Sequence, residues 1–153
     1  MDYHSRMGLD MYLTKKTYVR SGTIRTDIDP ERISYITEEV GYWRKANQIH
    51  KWFVDNVQEG NDNCGDYYVS KEKLKELYNI CIAIKSETKL VDGKIIENSH
   101  LAVSLLPTTE GFFFGSTDYD EFYMRNIDDT IKILKPILDI ESNDGDYYYH
   151  SSW

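Results

Sequence analysis

The chain has 153 residues, of which 41% are hydrophobic, so it is long enough and apolar enough to fold around one core without disulfides or metal ions. Its formal net charge of −8 argues against binding to the phosphate backbone of nucleic acid as the main activity, while it permits a basic partner. The 13 tyrosines favour half-buried strands and a contact surface, because a tyrosine ring combines a large contact area with a polar tip.

The first patterned part of the chain predicts a hairpin. Apolar residues alternate with polar ones over residues 9–13, and residues 17–19 continue the same strand. Residues 21–22 are a Ser-Gly turn signal, after which residues 23–28 are expected to form the return strand. Pro30 ends that strand, because its ring fixes its own backbone and restricts the residue before it.

Residues 39–58 predict the central element of the fold, one amphipathic helix. At about 100° per residue, most of its apolar side chains fall on one arc that also contains His50. Thr37 is expected to cap this helix, and acidic residues follow it at the positive end of the helix dipole. Trp52 falls on the opposite, outward side. An apolar stripe this wide favours packing against a sheet.

The middle of the chain predicts a second helix between short extended segments. Residues 67–69 are extended, and Ser70 is expected to cap a helix over residues 71–85. Residues 92–93 are an Asp-Gly pair, which is a strong signal for a two-residue hairpin turn. Residues 101–106 fit either a strand or another turn of helix, because periodicity does not separate the two in so short a run.

The last third of the chain predicts a strand, a helix and a closing strand. Residues 112–114 are three consecutive phenylalanines and predict a strand. Asn126 is expected to cap a third helix, which Pro136 should kink or end. Residues 147–153 are expected to form an edge strand. Three helices packed on a mostly antiparallel sheet give an α+β fold.

The chain is expected to form one domain over residues 7–153, preceded by a polar leader over residues 1–6. Cys64 and Cys81 stand in no metal-binding or disulfide pattern, and Cys81 is expected to be a buried, inert thiol. No apolar run approaches ~18 residues and no signal peptide opens the chain, which predicts a cytoplasmic protein without a membrane segment.

His50 and its neighbours are the first candidate site. A neutral imidazole on an apolar arc needs a partner for each nitrogen, so His50 is either a core histidine or a general base that lines a pocket. Arg44, Asn47 and Lys51 lie beside it on the predicted helix. They would form either a small anion-binding edge or a solvated flank with surface ion pairs.

A second candidate site is the acidic turn over residues 116–121. Asp118 and Asp120 contribute two of its carboxylates, which would either bind a hard cation or cap backbone amides in a charged turn. The spacing matches no complete metal motif, and the sequence implies no cofactor. A nucleophilic pair of Cys64 and His50 has no supporting signature in the sequence.

Five stretches of the sequence form a pattern, namely GLDMYL at 8–13, EVGYWRKANQIHKWF at 39–53, LLPT at 105–108, GFFFGSTDYDE at 111–121 and YHSSW at 149–153. In this pattern the chain resembles a group of small uncharacterised proteins that are encoded by bacteriophages and prophages. The resemblance covers nearly the whole chain from residue 7 onward, while the leader and the hairpin at residues 92–93 look like additions to the pattern. It implies a phage accessory protein in the cytoplasm of a host bacterium, and it implies no mechanism and no site residues.

The first functional hypothesis is a non-enzymatic phage accessory protein that binds and inhibits a host macromolecule. A host defence component, such as a CRISPR effector, is the favoured example of a partner. The hypothesis follows from the small size, the acidity, the many tyrosines and the lack of a catalytic motif. Candidate partner contacts are Trp52, Tyr119 and Tyr148, and the exposed aromatics would also allow a homodimer.

The second functional hypothesis is a small-ligand protein, either a nucleotide-binding sponge or a weak hydrolase. A structural role as a minor virion component is a third interpretation. The small-ligand site would use Arg44, Asn47, His50 and Lys51, with Asp118 or Asp120.

Overall fold

A computed structural model describes most of the chain, and residues 95–97 only through their backbone. The predicted leader, the Ser-Gly turn and most of the expected return strand lie outside the described residues, as do two of the three consecutive phenylalanines. The residues described are 8–19, 27–92, 95–97, 99–111 and 114–153.

The described residues form a four-stranded antiparallel sheet, four α-helices and a separate two-stranded hairpin, which confirms the α+β fold. The sheet has the strand order β2-β1-β6-β3, and β4 pairs with β5 in the hairpin. The elements in chain order are β1 (Asp10–Tyr18), a 3₁₀ turn (Pro30–Arg32), β2 (Tyr35–Arg44), α1 (Asn47–Asn56), β3 (Tyr67–Val69), α2 (Lys71–Glu87), β4 (Lys89–Val91), β5 (Ile95–Glu97), α3 (His100–Leu105), α4 (Glu121–Asp139) and β6 (Asp146–Ser152).

The strand β1 lies at the centre of the sheet and confirms the predicted alternation. Met11 and Leu13 point into the core and are fully buried, while Tyr12 between them faces the other side of the sheet. Both neighbours of β1 are antiparallel, and the pairing with β2 shifts at a bulge between Leu13 and Thr14. From the first strand onward, one face of the sheet is therefore buried against the core and the other face points away from it.

The expected edge strand at the end of the chain is an internal strand, so its predicted position was wrong. The strand β6 pairs with β1 on one side and with β3 on the other. Tyr147, Tyr149 and Ser151 face the core and are buried. The alternation of β6 specifies which residues are buried, but it carries no information about how many neighbours the strand has.

The prediction of one helix over residues 39–58 was wrong in its first half. Residues up to Arg44 belong to β2, where Gly41 and Trp43 are buried and Tyr42 between them is exposed. This is the two-residue period of a strand, and the backbone groups pair with β1. Lys45 then adopts a positive φ of 55°, and the helix begins only at Asn47.

Trp52 is buried, which corrects its expected outward position. Only 6% of its surface is exposed, and its ring packs edge-on against Phe53 with ring centres 5.2 Å apart. The helix α1 is short, and seven of its ten residues are buried. Because α1 is enclosed on most sides, it lacks the broad solvent-exposed face of a surface helix.

The remaining helices confirm part of the predicted pattern. Ser70 caps α2 by accepting a hydrogen bond from the Lys73 amide, as expected. Asn126 does not cap α4, because the helix begins earlier and Asp120 accepts hydrogen bonds from its first amides. Pro136 lies inside α4, which does not end there but continues to Asp139.

The core between the sheet and the helices contains one buried polar link from β2 to α4. The Trp43 indole N–H donates to the Thr130 hydroxyl over 2.9 Å, and both residues are buried. Thr130 in turn donates to the Asn126 carbonyl over 2.7 Å. A buried indole N–H without an acceptor costs free energy, so this link is specific for a hydroxyl at position 130.

Replacing Thr130 with valine should lower the free energy of unfolding by about 1–3 kcal/mol. Valine keeps the shape of the side chain and removes the acceptor of the Trp43 indole. Chemical denaturation of the purified variant measures the loss. The control is Thr37→Val on the exposed side of β2, which should change stability by no more than about 0.5 kcal/mol. Equal losses in both variants would contradict the role of the buried link.

Candidate functional site

His50 lies inside the core with both ring nitrogens hydrogen-bonded. Its Nδ1 is 2.5 Å from the Tyr149 hydroxyl oxygen, and its Nε2 is 2.9 Å from Asp62 Oδ1. The imidazole comes from α1, the phenol from β6 and the carboxylate from the loop that follows α1. Asp62 also accepts a hydrogen bond from the Trp153 indole over 3.1 Å. Three separate parts of the chain therefore meet at one imidazole.

The partners of His50 determine its tautomer. An ionised carboxylate only accepts hydrogen bonds, so Nε2 carries the proton and donates to Asp62. Burial raises the pKa of Tyr149 well above its ordinary value, so its hydroxyl stays protonated and donates to Nδ1. Burial also lowers the pKa of His50 below 6.5, although Asp62 acts in the opposite direction. His50 is consequently neutral at pH 7, with both nitrogens satisfied.

The surroundings of His50 support the interpretation of a core histidine. Tyr149 is fully buried, and Phe114 stands edge-on to the imidazole with ring centres 5.3 Å apart. A depression of about 120 Å³ reaches the ring beside Lys51, and this volume is well below that of a typical ligand pocket. Cys64 is exposed on a loop, and both His50 nitrogens are occupied by other groups.

Asn47 is buried and does not bond to His50. Its Nδ2 donates to the carbonyls of Phe114 and Ser116, over 3.2 and 2.9 Å. Its Oδ1 accepts from the Thr109 amide over 3.1 Å. Asn47 therefore fastens the loop before α4 to the start of α1.

The anion-binding edge expected from Arg44, Asn47 and Lys51 is not assembled. Arg44 ends β2, and its Nη1 donates to Asp10 Oδ1 over 2.9 Å. Lys51 makes a surface ion pair with Asp55 one helical turn away, at 2.8 Å. The helical projection placed these side chains on one flank only because it treated two elements as a single helix.

The acidic turn caps the helix that follows it. Asp120 Oδ1 accepts from the amides of Phe122 and Tyr123, over 3.0 and 3.2 Å. The Ser116 hydroxyl accepts from the Asp118 amide over 3.1 Å. Within the part of the chain that the structure describes, no group of three His, Cys, Asp or Glu side chains is arranged to hold a metal ion.

Arg44, Asp118 and Asp120 do line one cavity, with a volume of about 490 Å³. The cavity lies where the end of β2 and the start of α1 meet the acidic turn and the first half of α4. We call it the mixed-charge cavity, because cationic and anionic side chains both line it. Several residues that line it were not among the site residues predicted from the sequence, namely Lys45, Gln48, Arg125, Asn126 and Asp129.

The face of the sheet opposite the core carries a row of aromatic side chains. Tyr12 stacks on His150 with ring centres 4.8 Å apart, and it contacts Tyr42 at 5.4 Å. Tyr148 contacts Tyr68 edge-on at 5.9 Å. These five residues come from all four strands of the sheet, and we call them the tyrosine face. Tyr42 and Tyr68 are its most accessible members, with 45% and 58% of their surfaces exposed.

Carboxylates surround the tyrosine face. Asp10 Oδ1 accepts a hydrogen bond from the Tyr42 hydroxyl over 2.5 Å. Asp66 Oδ1 lies 4.0 Å from the Nδ1 of His150. The pKa of Tyr12 is raised by burial and, to a smaller degree, by the negative charges of Asp10 and Glu39. The face therefore combines aromatic rings with negative charge.

The three aromatic residues expected to contact a partner lie in different environments. Trp52 is in the core. Tyr119 is half-buried, and its hydroxyl accepts a hydrogen bond from the Thr108 amide over 3.1 Å. Tyr148 lies on the tyrosine face. The other members of that face alternate with buried residues in β1, β2 and β6, and this two-residue pattern is the signal that would have identified them.

No protein-family model, curated protein or solved structure matches this chain. No helix among the described residues is long and apolar enough to cross a membrane. The candidate regions, namely the surroundings of His50, the mixed-charge cavity and the tyrosine face, are therefore defined by the side-chain geometry described above.

Stability should depend on pH through His50. Its pKa is lower in the folded state than its ordinary value of 6.5, so the unfolded chain takes up the proton more readily. The free energy of unfolding should therefore decrease as the pH falls from about 6.5 toward the folded-state pKa. Denaturant unfolding at a series of pH values between 8 and 5 measures this slope.

The variant His50→Gln should lose that part of the slope and should also be less stable at pH 8, by about 1–3 kcal/mol for the disrupted buried hydrogen bonds. His100→Gln, at an exposed position in α3, is the matched control for removal of a histidine. A slope that disappears in the control and persists in His50→Gln would show that another group is responsible.

Proposed function

We propose that the protein acts by binding another protein without catalysing a reaction, and that the tyrosine face is the binding surface. The observation that carries the proposal is the row of tyrosine and histidine rings across all four strands, opposite the core. The hydrogen-bonded group of His50, Tyr149 and Asp62 offers no comparable surface, because the Tyr149 side chain is buried and both ring nitrogens of His50 are hydrogen-bonded.

The placement of the rings supports a role in binding. Each ring stands on a strand whose alternate residues are buried, and a tyrosine side chain has only two χ angles to fix, so association costs little side-chain entropy. Tyrosine is enriched at protein interfaces and among the residues that contribute most to affinity. Stacking of Tyr12 on His150 holds the middle of the face in place before a partner arrives.

The charge around the face indicates a basic partner. Asp66 lies beside the rings, Asp10 is shared between Tyr42 and Arg44, and the whole chain has a net charge of −8. Lysine and arginine side chains bind both to carboxylates and to the faces of tyrosine rings. A net negative field would also accelerate the approach of a basic surface at low ionic strength.

The resemblance to phage-encoded proteins makes a host protein the expected partner. We therefore propose a phage accessory protein that binds and inhibits a basic protein in the bacterial cytoplasm. A defence component such as a CRISPR effector has this character, because proteins that hold nucleic acid carry basic surfaces. The alternative of a nucleotide sponge at Arg44, Asn47 and His50 has less support, since Arg44 and His50 line different cavities.

Affinity purification from phage-infected bacteria, followed by mass spectrometry, tests the proposal. The tagged wild-type chain should enrich a specific basic protein, and the double variant Tyr42→Ser, Tyr68→Ser should reduce its affinity at least about tenfold. Both tyrosines are exposed, so the variant should stay folded, with a melting temperature lowered only by the loss of the Tyr42 hydrogen bond to Asp10 and of the ring contacts with Tyr12 and Tyr148.

The matched control is Ile82→Ser, which removes an exposed apolar side chain on α2, outside both the tyrosine face and the mixed-charge cavity. This control should retain the partner. Equal retention by the double variant and by Ile82→Ser would place the contact elsewhere. Enrichment of no specific protein by the wild-type chain would count against the function itself.

A further inference from the structure

The mixed-charge cavity shares Tyr42 with the tyrosine face, but binding through that face does not explain the charged residues that line the rest of it. Its volume of about 490 Å³ lies within the range of small-molecule sites. Trp43 and Tyr123 form buried aromatic walls, and Phe122 lies at its exposed side. The cavity is thus large enough and sufficiently enclosed to hold a small ligand.

Two cations and two anions face this cavity without neutralising one another. Arg44 is already paired with Asp10, and Asp120 already caps α4. Among the described residues, the charged groups of Lys45, Arg125, Asp118 and Asp129 form no ion pair, and Arg125 contacts only the Phe122 ring, at 5.2 Å from its centre. These four residues are the groups to which a ligand would bind.

A buried amide adds a directional contact. Gln48 is only 2% exposed and lines the cavity, and its Nε2 donates to the Tyr123 carbonyl over 3.3 Å. Within the described residues its Oε1 accepts no hydrogen bond. An amide oxygen that lines a cavity in this state can accept a hydrogen bond from a ligand that brings an N–H donor.

We propose that the mixed-charge cavity binds a small zwitterion of the α-amino acid or dipeptide class. The carboxylate of the ligand contacts Lys45 and Arg125, and its ammonium group contacts Asp129 and Asp118, with Gln48 Oε1 as a further acceptor. An apolar or aromatic side chain of the ligand packs against Trp43 and Phe122. This arrangement satisfies both signs of charge within one molecule.

The balance of charges separates this class from two others. A phosphate dianion would meet the carboxylates of Asp118, Asp120 and Asp129 as well as the cations of Arg44, Lys45 and Arg125, so the cavity offers it no net attraction. A simple amine would leave Lys45 and Arg125 without a counter-charge. Only a ligand with one charge of each sign pairs with both sets of groups.

Isothermal calorimetry and ¹H–¹⁵N NMR titration of the whole chain test the proposal with defined probes. Phenylalanine, leucine and the dipeptide Leu-Phe are compared with N-acetylphenylalanine, phenylalanine amide and adenosine monophosphate. At least one zwitterion should bind and shift the resonances of residues lining the cavity. N-acetylphenylalanine and phenylalanine amide, which each carry a single charge, should bind at least about tenfold more weakly than phenylalanine.

Two charge variants provide an independent arm. Arg125→Gln and Asp129→Asn should each weaken zwitterion binding about tenfold, while Lys75→Gln, on the exposed side of α2, should leave it unchanged. Both substituted residues are exposed, so folding is not at risk. The proposal is overturned if no zwitterion binds at millimolar concentration, if adenosine monophosphate binds more tightly than every zwitterion, or if both charge variants bind as the wild type does.

Discussion

The contact of Tyr149 with α1 holds the two layers of this protein together. Its ring stacks on Phe53 with centres 3.9 Å apart and planes within 5°, and its hydroxyl bonds to His50 one turn earlier on the same helix. Such ring pairs contribute about 0.5–1.5 kcal/mol beyond their buried area. The hydroxyl prevents a buried imidazole from remaining unsatisfied. Asp62 extends the link to the Trp153 indole, so loop, helix and sheet share one anchor.

This anchor uses only one side of the sheet, and the other side is left for recognition. In β6, Tyr147 and Tyr149 face the helices while Tyr148 and His150 face away. The same backbone therefore supplies a rigid core and an outer row of rings. The mixed-charge cavity lies at the end of β2, where Trp43 of the core face and Tyr42 of the tyrosine face both line it. The two proposed binding regions thus adjoin at Tyr42, and the rest of their residues differ.

The sequence contained enough information for the fold class but not for the site. Ser70 and the alternation in β1 predicted their elements correctly, because each signal acts within a few residues. The prediction of one helix over residues 39–58 was wrong because Trp43 and Phe53 face the same core from two different elements. A helical projection cannot distinguish this arrangement from one continuous apolar stripe. Of the residues that line the mixed-charge cavity, only Arg44, Asp118 and Asp120 were among the site residues predicted from the sequence. Lys45 and Arg125 are 80 positions apart in the sequence, and only the packing of α4 beside β2 brings them together.

The central position of β6 has a consequence for how the chain folds. Thr14 in β1 bonds to the backbone of Tyr148 across 134 positions, and among the described strands β3 pairs only with β6. Pairings across such long separations slow folding, because the entropy of loop closure is lost before the contacts form. During synthesis, α1 and α2 leave the ribosome well before the strand that covers them. Their apolar faces, including that of Phe53, stay exposed until β6 emerges, so the nascent chain should need protection by a chaperone during that interval.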